Sequence, residues 1–276
     1  PPSLPLILYG LVAQVSIDKL FIAGIVPGLV MIFIVASYAI LRGKKIGALS
    51  TKPEFSDVPN ALRKAAWEIP LPLIVLVGIY SGFFTVTEAA SVTVVYVILI
   101  ESLIYKDLSI TKDIPVLMRD SIILVGSILI ILGTAMGFTS YLIDEQIPMT
   151  LLETMRQYID DPLTFLIALN IFLLLVGCMM DIFSAIIVVV PLIIPIAKSF
   201  DINMVHLGII FLTNLEIGYS TPPIGINLFI AGTRFGKPVL ALYKAVLPFL
   251  GLRLVGLLLI TYVPALSLFL VDWISN

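Results

Sequence analysis

Long, unbroken apolar runs limit what this chain can become before any other feature does. Residues 20–41, "LFIAGIVPGLVMIFIVASYAIL", are long enough to cross a bilayer as a helix, which takes about 20 residues for roughly 30 Å of hydrocarbon. Further apolar stretches occupy 67–83, 85–105, 119–143, 163–199, 206–232 and about 250–271. In lipid, every backbone polar group must find a partner within its own helix or in a closed barrel. Barrel strands alternate lipid-facing and lumen-facing residues, and these runs do not. The sequence therefore predicts an all-α integral membrane protein. Only 12% of the 276 residues are charged, about half the share usual for a soluble protein. A net charge of −2 gives no reason to expect a nucleic-acid partner. With Cys178 alone there is no internal disulfide, and His206 with one cysteine makes no ordinary zinc site.

Orientation follows from the lysines and arginines, which favour the cytoplasmic side. The segments 42–66, 106–119 and 233–253 hold most of the 16 basic residues, Arg253 among them, and are expected to be cytoplasmic. The alternate segments carry Asp144, Glu145, Glu153, Asp160, Asp161, Asp201 and Asp272, which places the C-terminus on the outer side. This parity holds only if 163–199 enters and leaves on one side, so a re-entrant hairpin is expected, with its tip near Gly177–Asp181. A repeat is also visible. "PPSLPLILYG" at 1–10 resembles "PPIGINLFIA" at 222–231, and Pro2 to Pro27 has the same 25-residue spacing as Pro223 to Pro248. Repeats broken at corresponding positions point to the binding site of a secondary transporter. The chain divides into 1–41 (the end of a first repeat), a connector at 42–66, and a second repeat over 67–276. Its start is neither a methionine nor a basic signal sequence, which suggests a portion of a longer protein.

Two interruptions carry the chemistry. In "NLEIGYSTPPIGINLFIAG", residues 214–232, Pro222 and Pro223 lack N–H groups and displace the carbonyls four residues back, those of Gly218 and Tyr219. An unsatisfied polar group in hydrocarbon costs roughly 2–7 kcal/mol, so the broken turn must meet something polar. Gly218 and Gly225 let the backbone leave helical geometry. Inward carbonyls suit a small hard cation such as Na⁺, and the N-terminus of the half-helix from Ile224 suits a carboxylate. Asn214, Glu216, Ser220, Pro222, Pro223, Gly225 and Asn227, with Asp181 of the second break, are the substrate or coupling candidates. A proline kink patched by Thr221 or Ser220 is the competing arrangement. In the second break, "LLLVGCMMDIFSA", Gly177 interrupts the run and Asp181 puts a carboxylate at membrane depth, where ionisable groups mark function by default.

Other residues have simpler readings. Thr85-x-x-Glu88 predicts a capping box, Met179 and Met180 flexible packing, and Cys178 a small buried hydrophobe. His206 is expected at a helix start in a solvated or interfacial position. Trp67 and Trp273 fall at span ends, as interfacial anchors do.

"GYSTPPIGINLFIAG", "GFFTVTEAASVTVVY", "LLLVGCMMD" with "VVVPLIIPIA", and "LFIAGIVPGLV" together resemble the large membrane subunit of tripartite ATP-independent periplasmic (TRAP) transporters, of the DctM type. Family members commonly read TPTEAA where this chain has Val86. The resemblance implies an elevator-type Na⁺-coupled importer with inverted repeats, each with a re-entrant hairpin and a broken helix, in a bacterial inner membrane. It implies a small four-helix membrane subunit and a periplasmic substrate-binding protein as partners. It also implies a carboxylate substrate, a sialic acid or C4-dicarboxylate, and no cofactor beyond Na⁺. Carried onto this chain, one Na⁺ site would use carbonyls of Gly177, Gly218, Thr221 and Ile224. Two rival classes stay open: an ion channel, and an intramembrane hydrolase pairing Asp181 with Glu216.

Overall fold

The computed structural model describes residues 3–47, 58–146, 150, 153–154, 159, 161–222 and 225–275. Every regular element among them is helical. In chain order they are α1 (Leu4–Ala13), α2 (Ile17–Ile46), α3 (Val58–Lys64), α4 (Pro70–Tyr80), α5 (Val86–Leu99, continued by a π turn at Ile100–Ile104), α6 (Asp113–Asp144), α7 (Pro162–Met179), α8 (Ile182–Ser199), α9 (Met204–Gly218), α10 (Ile226–Phe235), α11 (Val239–Tyr262) and α12 (Ala265–Ser275). Among the described residues, five helical stretches, in α2, in α5 with its π turn, and in α7, α8 and α11, are long and apolar enough to cross a membrane. The chain is an all-α integral membrane protein. The acidic stretch 144–162 lies mostly outside the described residues.

Helix starts follow the capping chemistry of the sequence. Thr85 and Glu88 form the expected capping box: the Glu88 N–H donates to Thr85 Oγ1 at 3.3 Å, and the Thr85 N–H donates to Glu88 Oε2 at 2.8 Å. Asp161 caps α7 by accepting from the Thr164 N–H at 2.9 Å, with Pro162 in the first turn, where its missing N–H is harmless. Asn203 caps α9 through the Val205 and His206 N–H groups.

The chain forms two compact units, Lys44–Ile130 and Ser3–Gly43 with Ile131–Asn276. In the first, α4 and α5 adjoin, and the Tyr96 hydroxyl donates to the Trp67 carbonyl at 2.8 Å. The second holds the main core, built around Tyr9, Phe21, Phe165, Leu173, Ile186, Phe211 and Leu215, each at most 2% exposed. Lipid tails are as apolar as leucine, so association in a bilayer comes from close packing and interhelical hydrogen bonds. Both are present. Gly208 admits the Tyr9 ring, because a Cβ there would fall 2.5 Å from Tyr9 Cε1, and the Tyr9 hydroxyl donates to the Met204 carbonyl at 2.9 Å.

The structure moves one span and one residue from where the sequence placed them. The final span was expected at about 250–271. Instead α11 runs unbroken from Val239 to Tyr262 with Pro248 inside it, and α12 starts after Pro264. His206, expected in a solvated or interfacial position, is 3% exposed, and its Nε2 lies 3.2 Å from the Thr261 carbonyl. The short-helix, long-helix pattern also recurs. α1 and α10 begin at 4 and 226, and α2 and α11 begin at 17 and 239, both about 222 residues apart; Pro27 and Pro248 each sit inside the longer helix.

Candidate functional site

The two sequence interruptions meet. α7 ends at Met179 and α8 begins at Ile182, leaving Met180 and Asp181 as the hairpin turn. α9 ends at Gly218 and α10 begins at Ile226, so 214–232 is a broken helix. α7 and α9 cross at Gly177 and Gly218 with their backbones touching. A Cβ on Gly218 would lie 2.5 Å from the Gly177 carbonyl carbon and 2.6 Å from its Cα; one on Gly177 would lie 3.0 Å from Leu215 Cα. No side chain fits at Gly218 without moving backbone, and one at Gly177 would press on Leu215. Gly177 remains inside α7 rather than breaking it, as the sequence had suggested; its role is to let the backbones approach. Tyr219 makes a further link, with the Ile182 backbone and the Asp181 carboxylate among its electrostatic neighbours.

The displaced carbonyls do not stay orphaned. That of Gly218 accepts the Thr221 N–H at 2.9 Å, and that of Tyr219 accepts the Asn227 N–H at 3.2 Å. The Thr221 hydroxyl donates to the Ile217 carbonyl at 2.8 Å, so the hydroxyl patch of a proline kink is present too. The expectation of unpartnered oxygens is thus corrected: the turn tightens and supplies a donor to each. A carbonyl has two lone pairs, so each retains one. Gly177 lies in the last turn of α7 and Gly218 ends α9, positions where carbonyls run out of intrahelical donors. Gly225 takes a left-handed conformation, φ 50°, at the start of α10, as its lack of Cβ permits. Pro222 is half-buried in the turn. Pro223 and Ile224 lie outside the described residues.

The polar candidates separate into distinct settings. Asp181 is exposed and caps α8, its Oδ1 accepting the Phe183 and Ser184 N–H groups at 3.0 Å each. Asn227 is exposed and reaches the break through its backbone. Asn214 is away from the break. It is fully buried in the core, where its Nδ2 donates to Asn170 Oδ1 at 2.7 Å and to the Ile210 carbonyl at 2.9 Å. Asn170 Nδ2 in turn donates to Thr261 Oγ1 at 3.2 Å. Glu216 lies on the wall of a cavity of about 590 Å³. Among the described residues no cluster of three or more His, Cys, Asp or Glu could hold a metal.

Sequence reasoning missed Arg253. Counted with the cytoplasmic basic residues, it instead lies inside α11, where its Nη1 donates to Ser220 Oγ at 3.3 Å. Ser220 is 8% exposed. The signal was present in "PFLGLRLVGLLLI", 248–260, where a lone charge has apolar neighbours on both sides.

Residues 1–266 match the family described as Tripartite ATP-independent periplasmic transporter, DctM component. The chain is 38% identical, over all of its length, to the C4-dicarboxylate TRAP transporter large permease protein DctM of Pseudomonas aeruginosa, and covers 64% of that protein. It is 35% identical over 98% of its length to the isethionate TRAP transporter permease protein DctMQ of Oleidesulfovibrio alaskensis, covering 42% of it. Against the sialic acid TRAP transporter large permease protein SiaM of Vibrio cholerae it is 33% identical over 98% of its length, covering 63%. These names describe transporter permeases rather than enzymes. The chain therefore spans less than two thirds of each of these relatives, and it belongs to the DctM component family of tripartite ATP-independent periplasmic transporters.

Proposed function

We propose that this chain carries the ion-coupled translocation machinery of an importer for small organic acids, driven by Na⁺ and moving as an elevator. The observation that carries the reading is the backbone contact of Gly177 with Gly218, which sets a hairpin turn against a broken helix. One Na⁺ would take free lone pairs from the carbonyls of Gly177, Gly218 and Thr221, with Ile224 completing the set. Asp181, Ser220 and Glu216 are the candidates for substrate or coupling contacts. The recurrence of α1–α2 as α10–α11, offset by about 222 residues, supports an inverted-repeat plan with 163–199 as a re-entrant hairpin. Relatives named for C4-dicarboxylate and sialic acid support a carboxylate substrate. The family supports a small four-helix membrane subunit and a periplasmic binding protein as partners in a bacterial inner membrane, and the distribution of basic residues supports a periplasmic C-terminus.

The test is uptake of labelled succinate and N-acetylneuraminate by proteoliposomes holding the complete membrane complex. Accumulation of one of them is expected to require both an inward Na⁺ gradient and the cognate binding protein. Equal accumulation in choline buffer would refute the sodium mechanism, and currents far above carrier turnover would favour a channel.

A further inference from the structure

Arg253 sits deep in its helix. It is nine residues from the nearer end of α11, about 14 Å at 1.5 Å per residue, beyond the region where long side chains snorkel to an interface. An arginine at the centre of a span costs about 2.5–3.5 kcal/mol even on insertion scales, so its charge needs a partner. The only partner found among the described residues is the neutral hydroxyl of Ser220, at 3.3 Å to one of five N–H donors. Glu216 lies on the same cavity wall without forming an ion pair with it. Arg253 is half-buried and borders the cavity of about 590 Å³, within the roughly 300–1,000 Å³ usual for small-molecule sites. The cavity is otherwise lined mainly by aliphatic side chains of α1, α2 and α9, with Thr213 one turn from Glu216. Two glycines on α2 keep it open: a Cβ at Gly28 would meet nothing within 4 Å, and one at Gly24 only Ile209 Cδ1 at 3.8 Å.

We infer that Arg253, positioned by Ser220 at the helix break, is a substrate-binding residue that holds a carboxylate of the transported acid in this cavity. A planar carboxylate is the group that a guanidinium fork pairs with in bidentate fashion. It supplies the missing countercharge, and the mainly apolar lining of the cavity strengthens the pairing. Because Ser220 belongs to the turn that begins at Gly218, an acid on Arg253 and an ion at the break bear on the same few residues. This rests on the carboxylate-transport reading above. A lipid phosphate could offer the same oxyanion chemistry, so the test must separate the two sources.

The experiment measures equilibrium binding of labelled succinate and N-acetylneuraminate to the complete complex in phosphatidylcholine nanodiscs with Na⁺. It compares wild type, Arg253→Gln and Arg253→Lys, with Na⁺-dependent thermal stabilisation read alongside. Arg253→Gln is expected to weaken the bound acid at least tenfold while retaining the Na⁺ response, and Arg253→Lys to recover part of the loss. Affinity within twofold of wild type in Arg253→Gln, with the Na⁺ response intact, overturns the inference and leaves the transport reading standing. Failure of wild type to bind either acid overturns both. Loss of the Na⁺ response in both variants identifies a purely structural anchor for Ser220, against the inference. Phosphatidylglycerol adducts seen by native mass spectrometry in wild type and lost in Arg253→Gln, at unchanged acid affinity, assign the residue to lipid and likewise overturn it.

Discussion

Replacing Gly218 with alanine tests the crossing on which the site depends. The added Cβ would fall 2.5 Å from the Gly177 carbonyl carbon, 2.6 Å from its Cα and 2.9 Å from the Cys178 nitrogen, all backbone atoms that no rotamer change can move aside. Restoring the ordinary contact of 3.4 Å from 2.5 Å means separating α7 and α9 by about 0.9 Å. Overpacking of this kind costs about 1–3 kcal/mol, offset by at most about 1 kcal/mol from alanine's helix preference. A net loss near 1.4 kcal/mol is a factor of ten in any equilibrium that needs the native spacing. Na⁺ affinity, from the half-saturation of Na⁺-dependent uptake or of Na⁺-dependent thermal stabilisation, is therefore expected to fall by about tenfold, along with the melting temperature. Gly133→Ala on α6 is the control: a Cβ there meets nothing within 4 Å, so stability should hold or rise by about 0.5–1 kcal/mol. A Gly218→Ala protein with wild-type melting temperature and wild-type Na⁺ dependence would refute the argument from this contact.

Two further perturbations separate structure from function. Asp181→Ala removes the acceptor of two N–H groups at the start of α8 and should lower stability by about 0.5–2 kcal/mol. Asp181→Asn keeps an acceptor and should keep the melting temperature while reducing uptake; retained uptake in an Asp181→Asn, Glu216→Gln double variant would exclude both as coupling groups. Asn170→Ala strips buried partners from Asn214 and Thr261, and thermal denaturation should show a loss of about 1–3 kcal/mol; a neutral result would mean that the network adds nothing to the core.

Much of this protein was written in one dimension, because lipid reduces folding to a local question. Apolar length decides that 20–41 is a helix, and proline chemistry decides that 214–232 is not one helix but two. The Thr85–Glu88 cap likewise follows from a three-residue spacing. These features depend on groups that are neighbours in sequence. What sequence left undecided depends on which helix lies against which. Gly177 looked like a helix breaker and proved to be a place for another backbone to rest, a distinction that requires Gly218 from a different helix. The carbonyls expected to be bare acquired donors at Thr221 and Asn227 because the turn folds back on itself. His206 looked like an interfacial residue until α11 closed over it with the Thr261 carbonyl. Arg253 looked like a flanking charge because it closes the basic segment 233–253, yet it lies inside one continuous helix, and its tie to Ser220 spans 33 residues. Periodicity and turn chemistry report each segment's own conformation. Partners across helices are fixed only by tertiary packing, where the shape of one surface selects another.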